Sequence, residues 1–497
     1  MAQVSESLAV SSPRAAYRRK VHDCLAALAE LLTERKFDFA NRQMGVELEL
    51  NLVDEAMSPA MTNTVVLEKI DDPAFTSELG QHNLEVHIGP RRLSGEQFLA
   101  LESEFGEALE TVNTKARDAG AELLMIGTLP TITTEHFDRK WLSPGCRYAA
   151  LNDHILAERG ESLTLDMEGV ALPGRESETL LGTAASITPE SACTSTQLHL
   201  QLAPDDFAPY WNAAQCLAGP QVALAANSPF LLGKALWQET RIPLFQQATD
   251  TRSEELRNQG VRPRVWFGDG WISSIFDLFE ENARYFPGLL PFMGDEEPHE
   301  ALAAGRIPQL AELRSHNGTI WRWNRPVYDI VDGVPHLRLE NRVLPAGPTV
   351  LDMVANIALF FGAQYALATA ERPLWTQMSF RAAEENFYSA AKHGMNAELY
   401  WPGAGKLSAD ELTLRLLLPL AHKGLSDAGL PGSLCDRYLS VIEQRCVRRM
   451  TGSTWQRETV GLYEERGADR PTALCEMSRQ YAELSANGEP VHLWPIE

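Results

Sequence analysis

Between residues 45 and 52 the chain alternates without a break: Val46, Leu48, Leu50 and Leu52 fall on one side, and Glu47, Glu49 and Asn51 on the other. Side chains repeating at a period of two point to opposite faces of a strand, so this segment predicts a sheet with one apolar and one acidic face. A helix would scatter both sets around its circumference. Three more segments repeat the pattern. In 83–88, Asn83, Glu85 and His87 share a face and Leu84, Val86 and Ile88 the other. In 196–202, Gln197, His199 and Gln201 point away from Leu198, Leu200 and Leu202, and in 336–343 Arg338, Glu340 and Arg342 point away from Leu337, Leu339 and Val343. Together they predict antiparallel sheet, aliphatic on one side and rich in Glu, His and Arg on the other.

That polar side is suited to cations and phosphates. Glu47 and Glu49 stand about 7 Å apart along one face at a rise of ~3.4 Å per residue. Glu78 lies just upstream of the second segment, in a turn able to bring it back to Glu85. Hard divalent cations take oxygen ligands, and a guanidinium fork matches phosphate oxygens, so one face carrying both suits ATP chemistry. For any single strand the competing reading is a solvated face. Solvated faces favour Thr, Lys and Ser, and recurrence of Glu, His and Arg in four strands argues against that reading. His87 and Gln201 read as structural neighbours of the ligands.

Around these strands, 14–35 carries Val21, Leu25, Leu28, Leu31 and Leu32 at helical spacing, and 94–118, 208–226, 274–285, 350–372 and 378–394 also read as helices. A strand is expected around 123–126, and Gly89-Pro90 is expected to close the second segment. Segment 127–190, rich in Gly, Pro and Thr, is expected to hold loops and short elements bordering the site, with a lid among them. The Pro/Gly stretch at 402–405 separates a catalytic part, 1–402, from a helical region, 403–497, expected to pack on the same body. The latter opens on a capping-box pattern, Ser408 to Glu411.

Charge narrows the partners. With 44 Lys and Arg against 67 Asp and Glu, the net charge is -23, which disfavours nucleic acid and requires an anionic nucleotide to find a local arginine cluster or cations. Seven scattered cysteines without a Cys-x-x-Cys pair suggest neither disulfides nor a zinc ribbon, and fit a reducing cytoplasm. The N-terminal twenty residues lack an apolar signal core. The most apolar later stretch, 350–370, is interrupted by Asp352, Asn356 and Gln364, so no membrane span is expected.

In this order the segments resemble glutamate-cysteine ligases of the second type, within the glutamine-synthetase-like superfamily of carboxylate-amine ligases. Gly45 to Leu50 resembles the family's metal strand, and Glu78-Leu79-Gly80-Gln81 with Leu84-Glu85-Val86 its second carboxylate segment. Gln197-Leu198-His199-Leu200 resembles the histidine strand, Asn227-Ser228-Pro229-Phe230 a loop, and Trp321 to Pro326 a tryptophan-arginine-proline segment, with 336–343 closing the set. The chain departs from the pattern at Gln197 and Gln201, which flank His199 without a second histidine. It departs again at Pro345-Ala346-Gly347-Pro348, where an acidic residue is common.

The resemblance implies an α+β fold: a curved antiparallel sheet shaped as a funnel and backed by helices, with ATP entering one end and amino acids the other. It implies Mg²⁺, with Mn²⁺ acceptable, held in one site by Glu49, Glu78 and Glu85 and in another by Glu47, His199 and Glu340. Arg342, Arg338 and His199 would meet the nucleotide, with Arg342, Glu340 and Arg322 in the chemistry. Arg322, Arg325 and Asn83 would bind substrate, although the two arginines also read as a surface turn with aromatic packing. The implied reaction joins glutamate to cysteine through γ-glutamyl phosphate. A different amine acceptor, or a non-catalytic ATP-binding homologue, remains open at this point, and a metal hydrolase ranks lower for want of histidines.

Overall fold

The alternating segments pair with one another, and their apolar sides hold them in place. A computed structural model of the protein describes residues 13–34, 37, 42–171, 176–290 and 292–497. The N-terminal segment read for a signal core lies largely outside these residues. Helix α1 (Pro13–Glu34) precedes β1 (Gln43–Val53), β2 (Phe75–Ser77) and β3 (Asn83–Arg92). Then come α2 (Gln97–Arg117), β4 (Glu122–Leu124), β5 (Ser195–Gln201), α3 (Pro204–Ala225), β6 (Asn324–Val331), β7 (Val334–Pro345), α4 (Val350–Ala368) and α5 (Phe380–His393). The strands form one antiparallel sheet in the order β6-β7-β5-β1-β3-β2, with β4 paired to the end of β1. The sheet curls into a half-barrel with helices behind it.

Val46, Leu48, Leu50, Leu84, Val86, Leu198, Leu200, Leu337 and Leu339 are all buried in a single core with residues of α2, α3 and α4. Each contributes about 1.5–3 kcal/mol by leaving water. Because that face is committed to the helices, register is fixed and the polar face must point into the half-barrel.

Helix α4 is long and apolar enough to cross a membrane, yet it is mostly buried within the protein. Its polar interruptions have partners there: Arg445 donates to Asp352 Oδ1 at 2.8 Å and to Asn356 Oδ1 at 2.5 Å, and Gln364 donates to Tyr210 O at 3.1 Å. It is a core helix.

Three local expectations need correction. β3 runs through Gly89-Pro90 to Arg92, because its register to β1 slips there and Pro90 sits at an irregularity that asks no ladder N–H of it. Residues 402–404 are the turn of a hairpin joining Glu398–Trp401 to Gly405–Ser408. The capping box does not form: Ser408 makes no side-chain cap bond, and Glu411 reaches forward to Arg415 at 2.5 Å. Within 127–190 lie a helix, Cys146–Arg159, and a hairpin of Leu163–Glu168 with Thr179–Ala184.

Candidate active site

Register alone builds an acidic strip on the polar face. Glu49 lies opposite Glu85. Glu47 lies between His87 on β3 and Gln197 on β5, and His199 faces Glu340 on β7. Directly opposed side chains in an antiparallel pair sit about 5 Å apart at Cβ, so the four faces merge. Glu78 enters from the turn before β3, which is propped from outside the sheet: Tyr148 Oη donates to Ser77 O at 2.7 Å, and Ser143 Oγ donates to Glu78 O.

Ligand atoms of Glu49, Glu78 and Glu85 lie within 4.8 Å of one another, and so do those of Glu47, Glu85 and His87. Glu85 is common to both groups. His87, read from sequence as structural, is brought to 3.3 Å from Glu85, while His199 Nε2 stands 3.1 Å from Glu47. Ser195 N and Gln197 Nε2 each donate to Glu49 at 2.6 Å and aim its carboxylate along the strip.

Carboxylates this close cannot all ionise without a counter-charge. Burial, reinforced by Glu49, pushes Glu78 up to about 7. Burial with Glu78 and Glu47 raises Glu85 well above the usual range, and burial raises Glu49 despite Arg342. Glu47 goes the other way: burial opposes its charge, but His199 and His87 outweigh it and hold the carboxyl well below the usual range. The residues therefore fit divalent cations, whose charge would relieve the repulsion, and an oxygen-dominated set favours Mg²⁺ or Mn²⁺ over zinc.

Arginines close the other side. Arg325 Nε and Nη2 donate to Glu340 Oε2 at 3.1 and 2.8 Å, and Arg342 Nη1 donates to Glu340 Oε1 at 2.5 Å and to Gln197 Oε1. Burial disfavours the Glu340 charge, yet Arg325 and Arg342 outweigh it and hold the carboxyl at about 2. Glu340 thus faces His199, but both of its oxygens are engaged by guanidinium groups. Arg338 Nε donates to His199 Nδ1 at 3.3 Å beside a cavity of about 480 Å³ lined by Gly45, Glu47, His87 and Val334.

The sequence pattern of glutamate-cysteine ligase family 2 (GCS2) matches residues 43–474, from the first residue of β1 into the last long helix. The chain belongs to that family. Its members are carboxylate-amine ligases. Among solved structures, the chain is similar to a glutamate-cysteine ligase from Francisella tularensis in complex with AMP, at 13% identity over 91% of each chain and a TM-score of 0.54. It is also similar to a bifunctional glutathione synthetase from Pasteurella multocida, at 11% identity over 93% of this chain and 55% of that one, with a TM-score of 0.49. At 13% identity the first likeness is one of fold. No curated protein matches the chain in sequence.

Of the expected substrate residues, Arg322 lies off the strip and Asn83 at its end. Arg322 is fully buried on a two-residue strand paired with Val265–Trp266, not on the strip. Its guanidinium donates to Asn282 Oδ1 at 3.0 and 2.9 Å and to Glu281 Oε2 at 2.5 Å, and lies 4.7 Å over the Trp266 ring. Asn83 closes the strip's inner end: its Nδ2 donates to Asn51 Oδ1 at 3.1 Å, while its Oδ1 is buried without a partner among the described residues. Sequence reasoning missed two residues. Glu190, in the turn before β5, has its carboxyl raised well above the usual range by burial and then by Glu78 and Glu49. Arg241 is bonded behind β7 to the main chain at Arg342 and Val343. Nothing local in the sequence marks either one.

Proposed function

We propose that the protein is an ATP- and Mg²⁺-dependent ligase that joins the γ-carboxylate of glutamate to an amine, cysteine first, through γ-glutamyl phosphate. The observation that carries this reading is Glu85, shared between the Glu49–Glu78 pair and the Glu47–His87 pair, with Arg342 bridging Gln197 and Glu340 beside them. Two cation sites next to a guanidinium, on the sheet of a carboxylate-amine ligase family, suit phosphoryl transfer better than any other chemistry these residues offer. The AMP named with the Francisella ligase supports a nucleotide here as well.

Glu49, Glu78 and Glu85 would hold one Mg²⁺, and Glu47, with Glu85 and His87 and with His199 beside it, the second, while Glu340 stands behind His199. Mn²⁺ would suit the same donors. When bound, the ions neutralise phosphate oxygens and the charge that develops on them. Arg342 faces the transferred phosphoryl group, with Glu340 and Gln197 fixing its direction, and Arg325 adds positive charge through the same carboxylate. Arg338 and His199 lie toward the cavity of about 480 Å³, from which the nucleotide would enter. At the inner end, Asn83 Oδ1 would accept a hydrogen bond from an amino-acid ammonium group.

A γ-carboxylate oxygen attacks the γ-phosphorus and ADP leaves. The amine nitrogen then attacks the acyl carbon, phosphate leaves and the nitrogen loses a proton. Water has to be kept away from the acyl phosphate, and the 143–148 corner, bonded to the main chain at Ser77 and Glu78, would screen it on that side. The seven cysteines are all free, which fits a reducing cytoplasm.

Glutamate-dependent ADP release measured across a panel of amines tests this reading. Cysteine is expected to give the highest kcat/KM. Turnover with another amine and none with cysteine would replace the acceptor. No glutamate-dependent release with any amine would sink the ligase reading.

A further inference from the structure

β7 is irregular where the proposed chemistry needs it to be exact in aim. Its register to β5 slips between Asn341, opposite Leu198, and Leu344, opposite Thr196, so that Arg342 and Val343 together face the single residue Gln197. Such a bulge re-aims a side chain and leaves main-chain carbonyls without ladder partners. Arg241, almost fully buried, takes them up: Nη1 donates to Arg342 O at 3.2 Å and Nη2 donates to Val343 O. Its Nε donates to Glu239 Oε1 at 3.0 Å, and the other Glu239 oxygen accepts from Asn227 N at 2.8 Å. From the opposite side, Arg342 N donates to Trp323 O at 2.8 Å, and the Arg241 guanidinium lies 5.7 Å from the Trp323 ring.

We infer that Arg241 is a positioning residue for Arg342: fixed by Glu239, it holds the β7 bulge in the shape that points Arg342 at Gln197 and Glu340. The inference rests on the reading of Arg342 as the phosphate-facing guanidinium. A buried Arg–Glu pair is a poor source of stability, since well-packed apolar side chains do as well or better. What this pair does that apolar side chains cannot is bond two adjacent carbonyls at once. A lysine, with one point charge on a flexible stem, does not reproduce a fork that spans both carbonyls and a carboxylate.

Wild type, Arg241→Lys, Arg342→Lys and the double variant, each labelled with ¹⁵N at arginine, decide the matter. Arg241→Lys is expected to lower kcat for glutamate- and cysteine-dependent ADP release roughly 30-fold, with KM for ATP and glutamate within about twofold. In the Arg342→Lys background the same change is expected to cost less than about twofold, because residues that act as a unit are not additive. The Arg342 Nε–H resonance, assigned by its loss in Arg342→Lys, is expected to shift or broaden in Arg241→Lys. Effects that multiply in the double variant, or an unmoved resonance, overturn the inference. If the wild type turns over no amine, the functional reading fails and the resonance alone decides the clamp. Should Arg241→Lys not fold, Glu239→Gln, which keeps one oxygen for Asn227 N and puts an amide NH2 where Glu239 Oε1 accepts from Arg241 Nε, takes its place with the same expectations.

Discussion

Glu49, Glu78 and Glu85 bring three carboxylates within 4.8 Å of one another, an arrangement that costs the protein stability unless a cation or a proton intervenes. Replacing Glu85 by Gln removes one charge at nearly constant volume. Without metal, Glu85→Gln is therefore expected to be more stable than the wild type at pH 8, by about 1–2 kcal/mol in a denaturant midpoint. Turnover is expected to fall more than about 100-fold, and Mg²⁺ should no longer raise the midpoint. Equal stabilisation of wild type and variant by Mg²⁺ would show that Glu85 is not a ligand. The same crowding sets a pH dependence. Glu78 sits at about 7 in the folded protein against 4.5 ordinarily. Its stabilising contribution is thus complete below pH 4.5 and lost as pH rises through 7. Binding of Mg²⁺ must expel that proton, and any held by Glu85 or Glu49, so affinity should weaken by at least about tenfold per pH unit below about pH 7, with proton release visible by calorimetry in buffers of differing ionisation enthalpy. An affinity flat across that range would remove Glu78 from the site. Glu47 and Glu340 carry the opposite sign, and their contribution is lost only as pH falls below 4.5. The glutamates were legible because period-two spacing put them on one face. Arg322's place off the strip was not legible, because a Trp-Arg-Trp run reads the same at a substrate as in a core and only its tertiary partners Glu281 and Asn282 fix its position.

At the scale of elements, the strands of the polar strip, the long core helices and the antiparallel pairing could all be read from alternation and helical spacing, since one face of each had to be apolar. The bulges could not. The slip at Arg342 and Val343 depends on Arg241, which lies far away in sequence and is bonded through tertiary contact. The helix start at Ser408 was legible, but its reciprocal cap was not, because Glu411 has a competing partner in Arg415. Helix-on-helix packing shows another feature that a sequence hides. Helix α4 and the helix Leu418–Asp427 meet through Gly362 and Gly424, so closely that a Cβ on Gly424 would stand 1.9 Å from Gly362 O. No side chain of larger size fits without moving a backbone. Gly424→Ala is accordingly expected to cost about 2–3 kcal/mol, read as a lowered urea midpoint with unchanged slope. Gly432→Ala, at a helix start with open space around it, should change stability by less than about 0.5 kcal/mol. Equal effects of the two substitutions would mean that the helices are not in close contact.

Across the whole molecule, the turn at 402–404 divides the sequence but not the core. Leu412, Leu417, Ala421, Leu425, Tyr438 and Ile442 belong to the same buried cluster as the apolar face of the sheet. Polar wiring crosses the same line. Arg445, on the helix Gly432–Arg448, pairs with the fully buried Asp352 of α4, and Asp352 Oδ2 also accepts from Val491 N at 2.9 Å. Tyr481 Oη donates to Met125 O at 2.8 Å and accepts from Asn227 Nδ2 at 2.8 Å, while Gln456 Nε2 donates to Asn227 Oδ1 at 2.8 Å. Asn227 is the residue whose N–H holds Glu239 behind Arg241, so the last helices are tied to the arginine bulge itself. Removing them would take Arg445 from the buried Asp352 carboxylate, at about 3–5 kcal/mol, and bare the face of α4 that carries Asn356, Gly362 and Ala366. A domain's net stability is on the order of 5–15 kcal/mol, which leaves no margin for that loss. We expect a chain ending at residue 402 to lack near-ultraviolet circular dichroism and a cooperative urea transition. A chain cut only between Gly403 and Ala404 should keep both, because the pieces remain packed through the shared core. A cooperative transition in the shortened chain would make residues 1–402 an independent folding unit and would detach the C-terminal helices from the aim of Arg342.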